Sequence, residues 1–147
     1  MTTTSVTSQP TTPAPVRVFD RRLLWAGPLA IVGALTANAV VRAIELAVLP
    51  IPAAFFPLQS AAFVGLTVVG VLGAVLVYAV IGRFTQNPIR NFRIVAGVAL
   101  LLSFLPDLGL LVTGMPGATL AGVLGLMAMH VVAAVLAVGV LTGLAAE

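Results

Sequence analysis

The 147-residue chain has no cysteine, no lysine, and only one each of histidine, tryptophan and tyrosine. Without cysteine there can be no disulfide, no thiol redox chemistry and no Cys-ligated zinc or iron–sulfur site. Charge is scarce as well. Only 7% of residues are charged, against about 25% in an ordinary soluble domain. Hydrophobic residues make up 61% of the chain and the mean hydropathy is +1.20, a composition that places it in a membrane. Enzyme motifs are missing too: no HExxH, no GxSxG, no P-loop and no paired histidines for a metal, so no enzymatic activity is expected. All seven basic residues are Arg, and three of them in one loop do not form the phosphate-binding stripe that nucleic acid requires.

What is present is mostly long apolar runs. The first sixteen residues, MTTTSVTSQPTTPAPV, have almost nothing to bury, so a disordered tail is expected over residues 1–19. Four runs follow over residues 23–49, 60–82, 94–112 and 118–144, each near the roughly 20 residues a helix needs to cross a bilayer. Residues 20–147 therefore read as one all-α, integral membrane four-helix bundle. The third run is interrupted by Pro106 and Asp107, which predicts a kinked or broken span there.

The connections set an orientation. Arg17, Arg21 and Arg22 precede the first span, and Arg83, Arg90 and Arg93 lie between the second and third, whereas residues 50–59 and 113–117 carry no Arg. The positive-inside rule then puts both N- and C-termini on the cytoplasmic side of the membrane. Trp25, Phe84 and Phe92 on that side, and Phe55 and Phe56 on the other, are expected as interfacial aromatics. A competing reading takes Arg21-Arg22, the apolar run and Ala37-Asn38-Ala39 as a cleavable signal. The long uncharged tail and the odd number of spans left after cleavage argue against it.

Small residues four apart, at Ala30/Ala34, Gly117/Ala121/Gly125 and Gly139/Gly143, suit close helix approach, although Ala and Gly are common throughout this chain. The polar residues are more informative when placed by depth. At a rise of about 1.5 Å per residue from the Arg-bearing ends, Asn38, Asp107 and His130 reach roughly 20–22 Å, and Arg42 roughly 28 Å, with Glu45 beyond it. Ala30, Ala34, Asn38, Arg42 and Glu45 share one helical stripe, as do Leu100, Ser103 and Asp107. The candidate intramembrane polar cluster is therefore Asn38, Arg42, Glu45, Ser103, Asp107 and His130, with Arg42 expected to pair with Glu45 and Asp107. Two readings of it stand open: a structural network, or a site on an ion, substrate or proton path. A lone His130 beside Met129 does not suit haem, which in bundled cytochromes needs more ligands, so no cofactor is expected.

Three segments, RRLLWAGPLA, RFTQNPIRNFRIVAGVALLLSFLPDL and LMAMHVVAAVLAVGVLT, in this order and spacing, resemble a family of small four-span integral membrane proteins of actinobacteria and related bacteria, catalogued as a domain of unknown function. The resemblance spans about residues 20–145. It implies a membrane location and four helices, and assigns no activity. The expected role is that of a structural or accessory membrane protein, the alternative a small transporter or proton-linked carrier using the polar cluster. Its partners are then the lipid bilayer and either a second copy of the chain or another membrane protein.

Overall fold

The computed structural model describes residues 21–144; the expected tail over residues 1–19 lies outside them. Four helices follow in order: α1 Arg21–Val48, α2 Ser60–Phe84, α3 Pro88–Val112 and α4 Leu120–Leu144, with a single 3-10 turn at Phe56–Leu58 before α2. All four are long and apolar enough to cross a membrane, and no strand occurs among the described residues. In hydrocarbon the backbone must satisfy its own hydrogen bonds, which is why runs of this length become helices whatever their individual propensities.

Local chemistry sets the ends. At the end of α2, the Thr85 N–H and hydroxyl both donate to the Ile81 carbonyl, at 3.0 and 2.9 Å, and Thr85 itself is extended. Pro88 then opens α3, where its fixed φ suits the first helical turn and its missing N–H costs nothing. Thr119 caps α4, its hydroxyl accepting from the Gly122 N–H at 3.1 Å. Pro106 does not break the third span. α3 continues through it to Val112, and it starts earlier than expected, so that Arg90 and Arg93 lie on the helix.

The helices form a ring in which α1 packs most extensively on α4, α3 on α4 next, and α2 also touches α4 across the diagonal. Three buried groups are stacked along the bundle. At the Arg-bearing end Leu23, Ala26, Tyr78, Phe92 and Leu141 cluster, with the Tyr78 and Phe92 rings edge to face at 4.9 Å between centroids. The middle is built from Ala30, Ala34, Val71 and Ala137. At the opposite end Phe55, Leu58, Phe63, Val123, Leu126 and Met129 cluster.

Phe55 and Phe92 are thus core residues, each 1% exposed, and not interfacial aromatics, whereas Trp25, Phe56 and Phe84 are well exposed. Gly117 lies in the loop before α4 at φ +78°, where a Cβ would stand 2.6 Å from the Phe55 nitrogen. It belongs to a contact between the two loops at this end and not to a helix–helix seam. A Cβ added at Gly139 or Gly143 would meet nothing within 4 Å, so the close approach expected there does not occur.

Candidate functional site

A cavity of about 700 Å³ lies among α2, α3 and α4, within the range of roughly 300–1,000 Å³ common for small-molecule sites. On α2 its wall runs from Phe63 to Val77, and on α3 from Phe92 to Leu110, so it extends about 20 Å along the bundle. Its exposed lining residues, Leu66, Gly70, Val77, Val95, Ala99 and Pro106, all belong to α2 and α3. The opening is therefore lateral, between those two helices, at the depth where a bilayer's hydrocarbon would be.

The space has an identifiable cause. No residue of α3 from Arg93 to Pro106 is buried, so the helix is held only near its ends. Phe92 holds one end against Tyr78, helped by Arg93, whose guanidinium donates to the Thr142 hydroxyl at 3.2 Å. Near the other, Asp107 is buried, 3.2 Å from His130 of α4. Between them the facing side chains are short, and a Cβ at Gly70 or Gly73 would touch nothing within 4 Å.

Polar groups gather on the wall nearer the Phe55 end. Asn38, Ser103, Asp107 and His130 all line the cavity, and Thr67 of α2 joins them. The Asn38 amide donates to the Thr67 hydroxyl at 3.4 Å, a long bond. Ser103 donates back to the Leu100 carbonyl at 2.7 Å. His130 Nδ1 lies 2.9 Å from the Leu126 carbonyl and 3.2 Å from Asp107 Oδ2. That nitrogen carries at most one proton, and facing a carbonyl it must be the donor. The proton serves Leu126, and the carboxylate sits beside it without an aligned hydrogen bond. Asn38 Oδ1 and Asp107 Oδ2 consequently remain without hydrogen-bond partners, in residues that are only 3% and 5% exposed.

Arg42 and Glu45 stand apart from this wall. Among the described residues Arg42 pairs with neither Glu45 nor Asp107. Its Nε donates to the Leu58 carbonyl at 2.7 Å, and the guanidinium carbon lies 5.8 Å from the centre of the Phe63 ring. The 3-10 turn ahead of α2 leaves that carbonyl outside any helical ladder, and the arginine supplies its partner. Glu45 is buried against α4, where a Cβ on Gly125 would come within 2.8 Å of its carboxyl group, and its Oε2 has no partner. Thr67 and the Leu58 carbonyl are the participants that residue type and depth did not single out. Thr67 sits one helical turn beyond Phe63 in a run with no charge to draw notice. Among the described residues no three His, Asp or Glu side chains converge to hold a metal ion.

Fold and site together define an integral membrane four-helix bundle with a side-opening cavity, polar at one level and apolar along the rest. The chain belongs to the family of unknown function DUF6069, whose model matches residues 16–147. No curated protein and no solved structure matches it.

Proposed function

We propose that the protein is a non-enzymatic accessory protein of the bacterial plasma membrane, with both termini inside, whose working part is an intramembrane binding cavity at Asn38, Asp107 and His130. One observation carries this reading: two buried acceptors, Asn38 Oδ1 and Asp107 Oδ2, border an open cavity with their hydrogen bonds unmade. Each such group costs about 1–3 kcal/mol. A cluster that only tied helices together would be expected to close on itself. Native mass spectrometry of protein released from lipid nanodiscs tests it. The wild type is expected to retain a bound small molecule, and Gly73→Phe, which fills the cavity where nothing stands within 4 Å, is expected to lose it. Equal masses of bound material in both would defeat the reading.

The orientation rests on the arginine asymmetry. With single cysteines at Ser60, Asn87 and Thr113, an impermeant thiol reagent applied to intact cells should label 60 and 113 and spare 87; labelling at 87 would reverse the topology.

A proton-linked carrier is the second reading, supported by the contact between Asp107 and His130 on the cavity wall, since ionisable groups inside a bundle mark proton or substrate paths. The Tyr78–Phe92–Leu141 cluster closes the cavity toward the Arg-bearing end, so transport would require α2 and α3 to part. Liposomes made with lipid extract from the source cells and a trapped pH indicator separate the two. A carrier dissipates an imposed pH difference in an Asp107-dependent way, and a binding protein leaves it standing.

A further inference from the structure

We infer that the cavity takes a lipophilic amine, its ammonium head on Asp107 and Asn38 and its apolar body along the groove between α2 and α3. The inference rests on the binding reading above and adds the class of ligand. Three features of the wall select it. Both partnerless atoms, Asn38 Oδ1 and Asp107 Oδ2, are hydrogen-bond acceptors, so the head that satisfies them must donate. His130 spends its Nδ1 on the Leu126 carbonyl, 2.9 Å away, and gives neither of these atoms a hydrogen bond. The wall also holds one carboxyl group and neither Arg nor Lys, because Arg42 is engaged by the Leu58 carbonyl outside the cavity. An anionic head would bring a second acid up to Asp107 with no Arg or Lys on the wall to balance it, and a hydroxyl head offers one proton to two acceptors. A primary ammonium supplies three donors and a charge opposite to that of an acidic wall.

The rest of the cavity fits the body of such a molecule. Beyond Ser103 toward Phe92 the lining is Ala, Gly, Val and Leu, over a length of several helical turns. A molecule already dissolved in the bilayer can reach it sideways past Val95 and Ala99, both exposed on the rim. Its head would then lie at the polar level while its body replaces lipid chains along α2 and α3.

The test is equilibrium binding of radiolabelled dodecylamine, dodecanol and dodecanoic acid to the full chain in phosphatidylcholine nanodiscs, with empty nanodiscs subtracted. Dodecylamine is expected to bind saturably, one per chain and at least tenfold more tightly than dodecanol, with no saturable binding of the acid. Asp107→Asn should bring the amine to the level of the alcohol. Asn38→Ala, which leaves the carboxylate in place, should weaken both several-fold and preserve the preference for amine. Gly73→Phe should abolish binding of both. Alcohol or acid binding as tight as amine, or an amine affinity unchanged by Asp107→Asn, overturns the inference. If none of the three probes binds saturably while native mass spectrometry still shows a molecule displaced by Gly73→Phe, the ligand class is wrong and the binding cavity stands. If that displaced molecule is also missing, both fall.

Discussion

Two sides of the bundle use the same small residues to opposite effect. Between α1 and α4, Ala30 and Ala34 face Ala137 with no accessible surface left on the α1 pair, and Gly125 admits the Glu45 carboxyl so closely that a Cβ would collide with it. Between α2 and α3, Gly70, Gly73, Ala96 and Ala99 also face a neighbouring helix, and they face space. The difference lies in what stands at the ends. The rings of Tyr78 and Phe92 occupy the α2–α3 seam near the Arg-bearing end and set a spacing that alanine and glycine cannot fill. Where α1 meets α4 in the middle of the bundle the buried residues are alanines. Small residues permit close approach in lipid, and whether it happens is decided by the largest side chain in the same seam.

The sharpest way to break this comparison is to enlarge one position on each side. Gly125→Val on the closed side should destabilise by about 1–3 kcal/mol or more, as overpacking does, and lower the unfolding midpoint in detergent clearly. Gly70→Ala on the open side should stay within about 0.5 kcal/mol of wild type. Equal losses at the two positions would mean that the seams do not differ as described. Next in size is Arg42→Gln, which removes the bond to the Leu58 carbonyl and the contact with Phe63. Hydrogen bonds from charged groups contribute about 1.5–3 kcal/mol, and the loss should appear as faster proteolysis of the loop at residues 50–59 as well as a lower midpoint. Smallest is the coupling between Arg42→Gln and Asp107→Asn. The two residues belong to different networks, so their effects should add within about 0.5 kcal/mol in a double-mutant cycle. A larger coupling would show that the arginine reaches the cavity wall after all.

This additivity reverses the pairing that depth and charge alone suggest, and the reason is instructive. Rise per residue brings Asn38, Asp107 and His130 to one level, because four helices of similar length crossing the same slab leave little freedom in height, and all three line the cavity. Number, order and class of spans were legible for the same reason. The choice of partner at a given level was not. A backbone carbonyl freed by a 3-10 turn has no side-chain signature, and the Pro-rich loop that frees the Leu58 oxygen reads simply as a connection. The cavity was equally invisible, since Ala and Gly in a run are compatible with a sealed seam or an open one. Phe55 illustrates a third limit. Its place in a loop between spans suggests the interface, and its burial depends on Gly117 arriving from a loop sixty residues further along the chain.

Gly114 and Gly117 share a left-handed backbone, at φ +67° and +78°, but only the second has the Phe55 backbone pressed against it. Asparagine can adopt such a φ at modest cost, so natural variation in related chains should tolerate it at 114 and exclude it, with every other residue, at 117. Three residues apart in the same stretch, Thr113 through Gly117, one glycine is thus a matter of conformation and the other of conformation and room, and lineages that lose the second should carry a compensating change in the loop around Ala54 and Phe55.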